Sequence, residues 1–71
     1  MTARKKAGQE GFAQEVERLM AYARAAEGQD NWKTAGVYYR RALDLTDEAG
    51  LSAELREEAA AGLARVSRMV T

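Results

Sequence analysis

The groups able to do chemistry in this sequence are carboxylates, basic side chains and phenols, because it contains no histidine and no cysteine. That excludes imidazole acid–base catalysis, Cys–His nucleophile pairs, Cys/His zinc sites and a disulfide framework. Glu54, Glu57 and Glu58 are close enough in sequence to suggest a carboxylate pair. With Arg56 among them and Arg65 downstream, they read instead as an acid-rich first turn of a helix, where the helix dipole favours negative charge. No glycine-rich phosphate loop, nucleophile elbow or metal-ligand spacing is present. A chain of 71 residues also has little material with which to enclose a substrate pocket of ~300 Å³ and still keep a core. The expectation is a protein that is not an enzyme and has no cofactor and no metal.

What remains is binding chemistry. Trp32, Tyr38 and Tyr39 form the aromatic group. Tyr39 falls on a core stripe, Tyr38 lies about 100° round the helix from it, and Trp32 sits in a first turn, so Tyr38 and Trp32 are candidates for a partner surface. Arg40, Arg41 and Lys33 could form a phosphate-binding strip, but Asp44, Asp47 and Glu48 follow within two turns, which favours a solvated, salt-bridged face. Arg4, Lys5 and Lys6 are the one uncompensated basic cluster, suited to assisting contact with an acidic surface. Overall the 11 basic and 11 acidic residues cancel, which argues against nucleic acid as the main partner.

These residues need helices to position them. Alanine occurs 15 times, proline never, and apolar residues make up 46% of the chain, so helix is the favoured state. After a basic tail over residues 1–8, three segments carry a period near 3.6. From about 9 to 27, Phe12, Val16, Leu19, Ala23 and Ala26 line one stripe, with Ala13 and Met20 widening it, and Gly28 is the expected left-handed C-cap. From 31 to 49 the stripe is Trp32, Ala35, Tyr39, Ala42, Thr46 and Ala49, with Asp30–Asn31 as caps and Gly50 as stop. From 53 to 69 it is Leu55, Ala59, Leu63, Val66 and Val70, with Ser52 as N-cap, and the interior Gly62 points to a close helix contact. Short loops between amphipathic helices force antiparallel neighbours. The expected fold is all-α, an antiparallel three-helix bundle over residues 9–71.

The segment from Gln29 to Leu45 is the most specific part of the sequence. It resembles the inter-helix turn and second helix of a tetratricopeptide repeat, which carries a small residue, an aromatic four later and Ala three after that; Ala35, Tyr39 and Ala42 stand at those places. Leu19, Tyr22 and Ala23 fall at the corresponding positions of the first helix, whereas Ala26 replaces its usual aromatic and Asp47 the usual closing proline. With a third helix, the chain is similar in architecture to the MIT (microtubule-interacting and trafficking) domains. The resemblance implies a hairpin with a capping helix.

The functional expectation is a small interaction module in the cytoplasm. It would bind a helical or extended peptide of a partner protein in a groove beside the third helix, with Met20, Trp32, Tyr38, Leu63 and Met69 as contacts, the methionines adapting to the partner. Arg4, Lys5, Lys6, Arg40 and Arg41 would supply electrostatic contacts. The alternatives are a homo-oligomeric structural element and, less favoured, a nucleic-acid accessory using the basic tail. No run reaches the ~18 apolar residues of a membrane span, so no insertion is expected. The Ala/Arg/Glu-heavy usage suggests a GC-rich bacterial source or a design.

Overall fold

The structure, a computed structural model, describes residues 2–51 and 53–70, with side chains from Gly11 onward. Helix α1 runs over Thr2–Gly28, α2 over Trp32–Ala49 and α3 over Ala53–Val70. α1 therefore begins upstream of residue 9, where the sequence places its start. The side chains of Arg4, Lys5 and Lys6, and the whole of Ser52, lie outside the described residues.

The order is up, down, up. Tyr39 of α2 lies level with Gly62 of α3, and Asp47 with Arg56, which makes α2 and α3 antiparallel. Arg24 and Glu27 of α1 pair with Glu58 and Arg65, so α1 and α3 run parallel. α2 lies between its neighbours and packs along both, while α1 and α3 meet over a few residues only. The chain is thus a helical hairpin with a third helix laid against its second member.

The core follows the stripes. Val16, Leu19, Met20, Ala23 and Ala26 from α1, Ala35, Tyr39 and Ala42 from α2, and Ala59 and Val66 from α3 are buried together. Small residues on both sides of Tyr39 bring the helices close, and the ring fills the space between them. Gly62 is part of this arrangement: a Cβ built there would lie 2.5 Å from Cζ and 2.7 Å from Cδ1 of the Tyr39 ring. The suspected close contact at Gly62 is real, and it is with an aromatic ring. Thr46 is the buried polar residue, its hydroxyl donating to the Leu43 carbonyl at 2.7 Å.

Three local expectations are corrected. Phe12 is 48% exposed and Val70 56%, although both continue a core stripe. Gly28 stays helical, and the left-handed residue is Asp30, at φ 59°. The amide of Asn31 bonds the Ala26 carbonyl (2.8 Å) and that of Asp30 the Glu27 carbonyl (2.9 Å), the paired pattern of a Schellman ending, with an aspartate in place of the usual glycine. Gly50 does take the left-handed cap, at φ 62°. Asn31 caps α2 by position, without a side-chain hydrogen bond.

Candidate functional site

Two features stand out: a polar cluster joining all three helices and a groove between α2 and α3. The cluster centres on Glu27, at the C-terminal end of α1. Its Oε2 accepts the Tyr39 hydroxyl proton at 2.5 Å, and its two oxygens take Nε and Nη2 of Arg65 at 2.8 and 2.9 Å. Arg65 Nη2 also donates to the Tyr39 hydroxyl at 3.2 Å, with its guanidinium carbon 6.0 Å from the ring centroid. Two parallel N–H···O bonds between guanidinium and carboxylate give the strongest geometry such a pair can adopt.

The electrostatics follow from this geometry. The Arg65 hydrogen bonds hold the Glu27 carboxyl below its ordinary value of 4.5, outweighing the desolvation that opposes them. Burial first, and the bond to Glu27 second, push the Tyr39 hydroxyl above its ordinary 10.0. Arg65 is raised chiefly by the hydrogen bond to Glu27, so it stays charged. Glu27 is only 15% exposed and every group in the cluster is engaged by another. Its chemistry is that of a clamp between helices. The sequence shows Arg65 only as a basic residue downstream of Glu54, Glu57 and Glu58, and the clamp was missed; the available signal was a carboxylate beside the core stripe, one residue after Ala26, at a helix end.

The groove is open and measures about 610 Å³. Its apolar wall consists of Trp32 and Val37 from α2 with Leu63, Val66 and Val70 from α3. Gly36 lies on its floor, where a Cβ would stand 3.6 Å from Val66 Cγ2. Lys33, Arg40 and Arg41 line the α2 side, with Asp44 at its far end and Ser67 on α3.

The expected contact residues separate. Trp32 and Leu63 meet in the groove, joined by Arg40 and Arg41. Met20 is 2% exposed and belongs to the core, because it lies on the inner side of α1. Tyr38 is half-buried and turned toward α1, where its ring lies 5.6 Å from that of Tyr22 at an interplanar angle of 46°, so it does not line the groove. Met69 is exposed but outside the groove lining. Val37, 60% exposed, was missed; it is the outward apolar residue of an otherwise charged face, which is the signal that marks it.

The salt-bridged face expected around Arg40 and Arg41 is also absent. Among the described residues, Arg18, Arg24, Arg56 and Arg65 have carboxylate partners, Asp47 being taken by Arg56, while Lys33, Arg40 and Arg41 make no ion pair. No described helix is long and apolar enough to cross a membrane. In comparison with known proteins, the chain matches no family model, no curated protein and no solved structure.

Proposed function

We propose that this chain is a small, non-catalytic protein-interaction module that seats a segment of a partner protein in the groove between α2 and α3. The observation that carries the reading is the exposed apolar wall of that groove: Val37 and Val70 are each more than half exposed, beside half-buried Trp32 and Leu63. A domain this small gains little by leaving such side chains in water, and apolar surface gathered in a concave strip is what a partner segment covers. The hairpin with a third helix and the Ala35–Tyr39–Ala42 line, on which the resemblance to tetratricopeptide and MIT domains rests, favour the same reading. Binding without catalysis fits the clamp as well, whose titratable groups are occupied in joining helices.

Trp32 is the single tryptophan and lines the groove, so its emission reports occupancy. Titrating the chain with a panel of amphipathic helical peptides should shift that emission to the blue, and Val37→Glu should abolish the shift while leaving the helical melt intact. Binding that persists unchanged in Val37→Glu would place the partner surface elsewhere.

A further inference from the structure

The groove's charge, taken on the reading that it binds a partner segment, identifies the kind of segment. We infer that its occupant is an acidic amphipathic helix, seated by apolar side chains on Val37, Leu63 and Val70 and held by carboxylates against Lys33, Arg40 and Arg41.

Three observations lead there. The first is charge: three cations line one wall, none has an ion-pair partner among the described residues, and within the groove only Asp44 opposes them, with Glu15 and Glu48 beyond Arg41 on the α1 side. Four other described arginines are paired and Arg68 stands alone outside the lining, so among the described residues the groove is where unpaired cations gather. Carboxylates aligned with this wall gain complementarity, and cations there are repelled.

The second is length. The lining residues of α2 step from Trp32 to Asp44, three turns and about 18 Å of helix. A partner helix of about twelve residues matches that span. An extended segment finds no strand edge here, since the described residues form only helices and turns, and its backbone would pair with water instead; a helix satisfies its backbone internally and turns one face to the groove.

The third is the identity of the apolar floor. Aliphatic side chains and the Gly36 backbone dominate it, with one indole at its edge. Bases stack on successive aromatic faces, which this floor does not offer, and three cations beside a carboxylate neutralise few phosphates. A second copy of the chain is disfavoured as well. A two-fold contact through this face would offer the cations of each copy only Asp44 and the uncharged α3 wall of the other, or the like-charged α2 wall. The polarity of the wall orients the ligand: its carboxylates lie toward Lys33, Arg40 and Arg41, and a residue near Asp44 is neutral or basic.

The test uses the full chain and three synthetic helical peptides of about twelve residues with identical leucine spacing. They differ only in whether glutamate, glutamine or lysine flanks the leucines. With Trp32 emission as readout, the glutamate peptide should bind about tenfold more tightly than the glutamine peptide at low salt, the scale expected of three exposed pairs. The advantage should shrink as salt rises, and the lysine peptide should bind most weakly. In Arg40→Glu/Arg41→Glu, whose melt is the control for folding, the order should reverse. Equal binding of the glutamate and glutamine peptides would overturn the acidic partner and leave the groove reading standing. Failure of all three to move Trp32 would overturn the groove reading itself. Tighter binding of a single-stranded oligonucleotide than of the glutamate peptide would assign the cations to phosphate instead. A concentration-dependent mass in the absence of peptide, lost in Val37→Glu, would assign the groove to a second copy.

Discussion

Gly62→Ala should destabilise the protein even though alanine is the better helix former. In an ordinary helix interior the substitution gains about 1 kcal/mol. Here the new methyl would stand 2.5 to 2.7 Å from Cζ and Cδ1 of Tyr39, whereas carbon atoms settle at about 3.5–4.0 Å. The ring must retreat by about 1 Å. It has little freedom to do so: Tyr39 is 2% exposed, flanked by Ala35 and Ala42 on its own helix, and its hydroxyl is fixed by Glu27 and Arg65. Overpacking of a closed site typically costs about 1–3 kcal/mol, so the net loss is about 0–2 kcal/mol. In a domain of this size each 1 kcal/mol moves the melting temperature by about 4–8 °C. Gly11→Ala is the matched control, because nothing lies within 4 Å of a Cβ there, and it should stabilise by up to about 1 kcal/mol. Urea and thermal melts followed by circular dichroism give both numbers. In a Tyr39→Ala background, already weakened by about 3–5 kcal/mol, Gly62→Ala should turn stabilising. If Gly62→Ala stabilises the native chain as much as Gly11→Ala does, the close approach of α3 to the Tyr39 ring is refuted.

Ala35→Leu should cost about 1–3 kcal/mol in the same melts, since Ala35 is fully buried where α2 meets its neighbours; a neutral result would mean that the crossing is loose. Tyr22→Leu and Tyr38→Leu should show a coupling of about 0.5–1.5 kcal/mol in a double-mutant cycle, because their rings meet at 5.6 Å, and strict additivity would contradict that contact. The clamp predicts a pH dependence at both ends. Glu27 is held below 4.5 in the folded chain, so its stabilisation is present above that pH and is lost as pH falls through the lower folded value. Glu27→Gln should therefore differ from the parent at neutral pH and converge on it in acid; a constant difference down to the acid transition would sink this assignment. Tyr39 titrates above its usual 10.0, so its contribution is complete below pH 10 and is lost as pH rises through the higher folded value, which absorbance-monitored melts of Tyr39→Phe and the parent can separate.

The helices were legible because a 3.6-residue period writes a core face directly into the chain: Val16, Leu19, Ala23, Ala35, Tyr39, Ala42, Ala59 and Val66 all lie where their spacing puts them. Periodicity marks a face but does not say whether anything stands opposite. Counting back from Tyr22, which faces Tyr38, brings Phe12 level with the end of α2, and counting forward from Gly62, which faces Tyr39, brings Val70 level with its start. Both therefore stand at the margin of their cover, where few atoms face them, and remain exposed. The turn at Asp30 was hidden because Gly28 offered the more obvious left-handed residue, whereas the chain closes α1 by backbone bonds two residues later. Of the candidate site, Arg40 and Arg41 were readable as outward-facing cations, while Trp32 and Leu63 sit on their helices' stripes and reach the groove half-buried. Met20 is buried as its place on the widened α1 stripe implies, whereas the separation of Tyr38 depends on which side of α2 each neighbouring helix takes, a property of three-dimensional packing. The Glu27–Tyr39–Arg65 clamp spans all three helices and leaves only a weak local trace in the sequence.

On the proposed function, the groove between α2 and α3 is the face that receives a partner. Amide chemical-shift mapping of the full chain with the glutamate-flanked helical peptide tests it residue by residue. The largest changes should fall on the groove-lining residues of α2 and α3, centred on Trp32, Val37 and Leu63, with Tyr22 and the face of α1 around it left unmoved. Changes concentrated instead around Tyr22, Tyr38 and Leu45, or binding that leaves the groove amides in place, would contradict it.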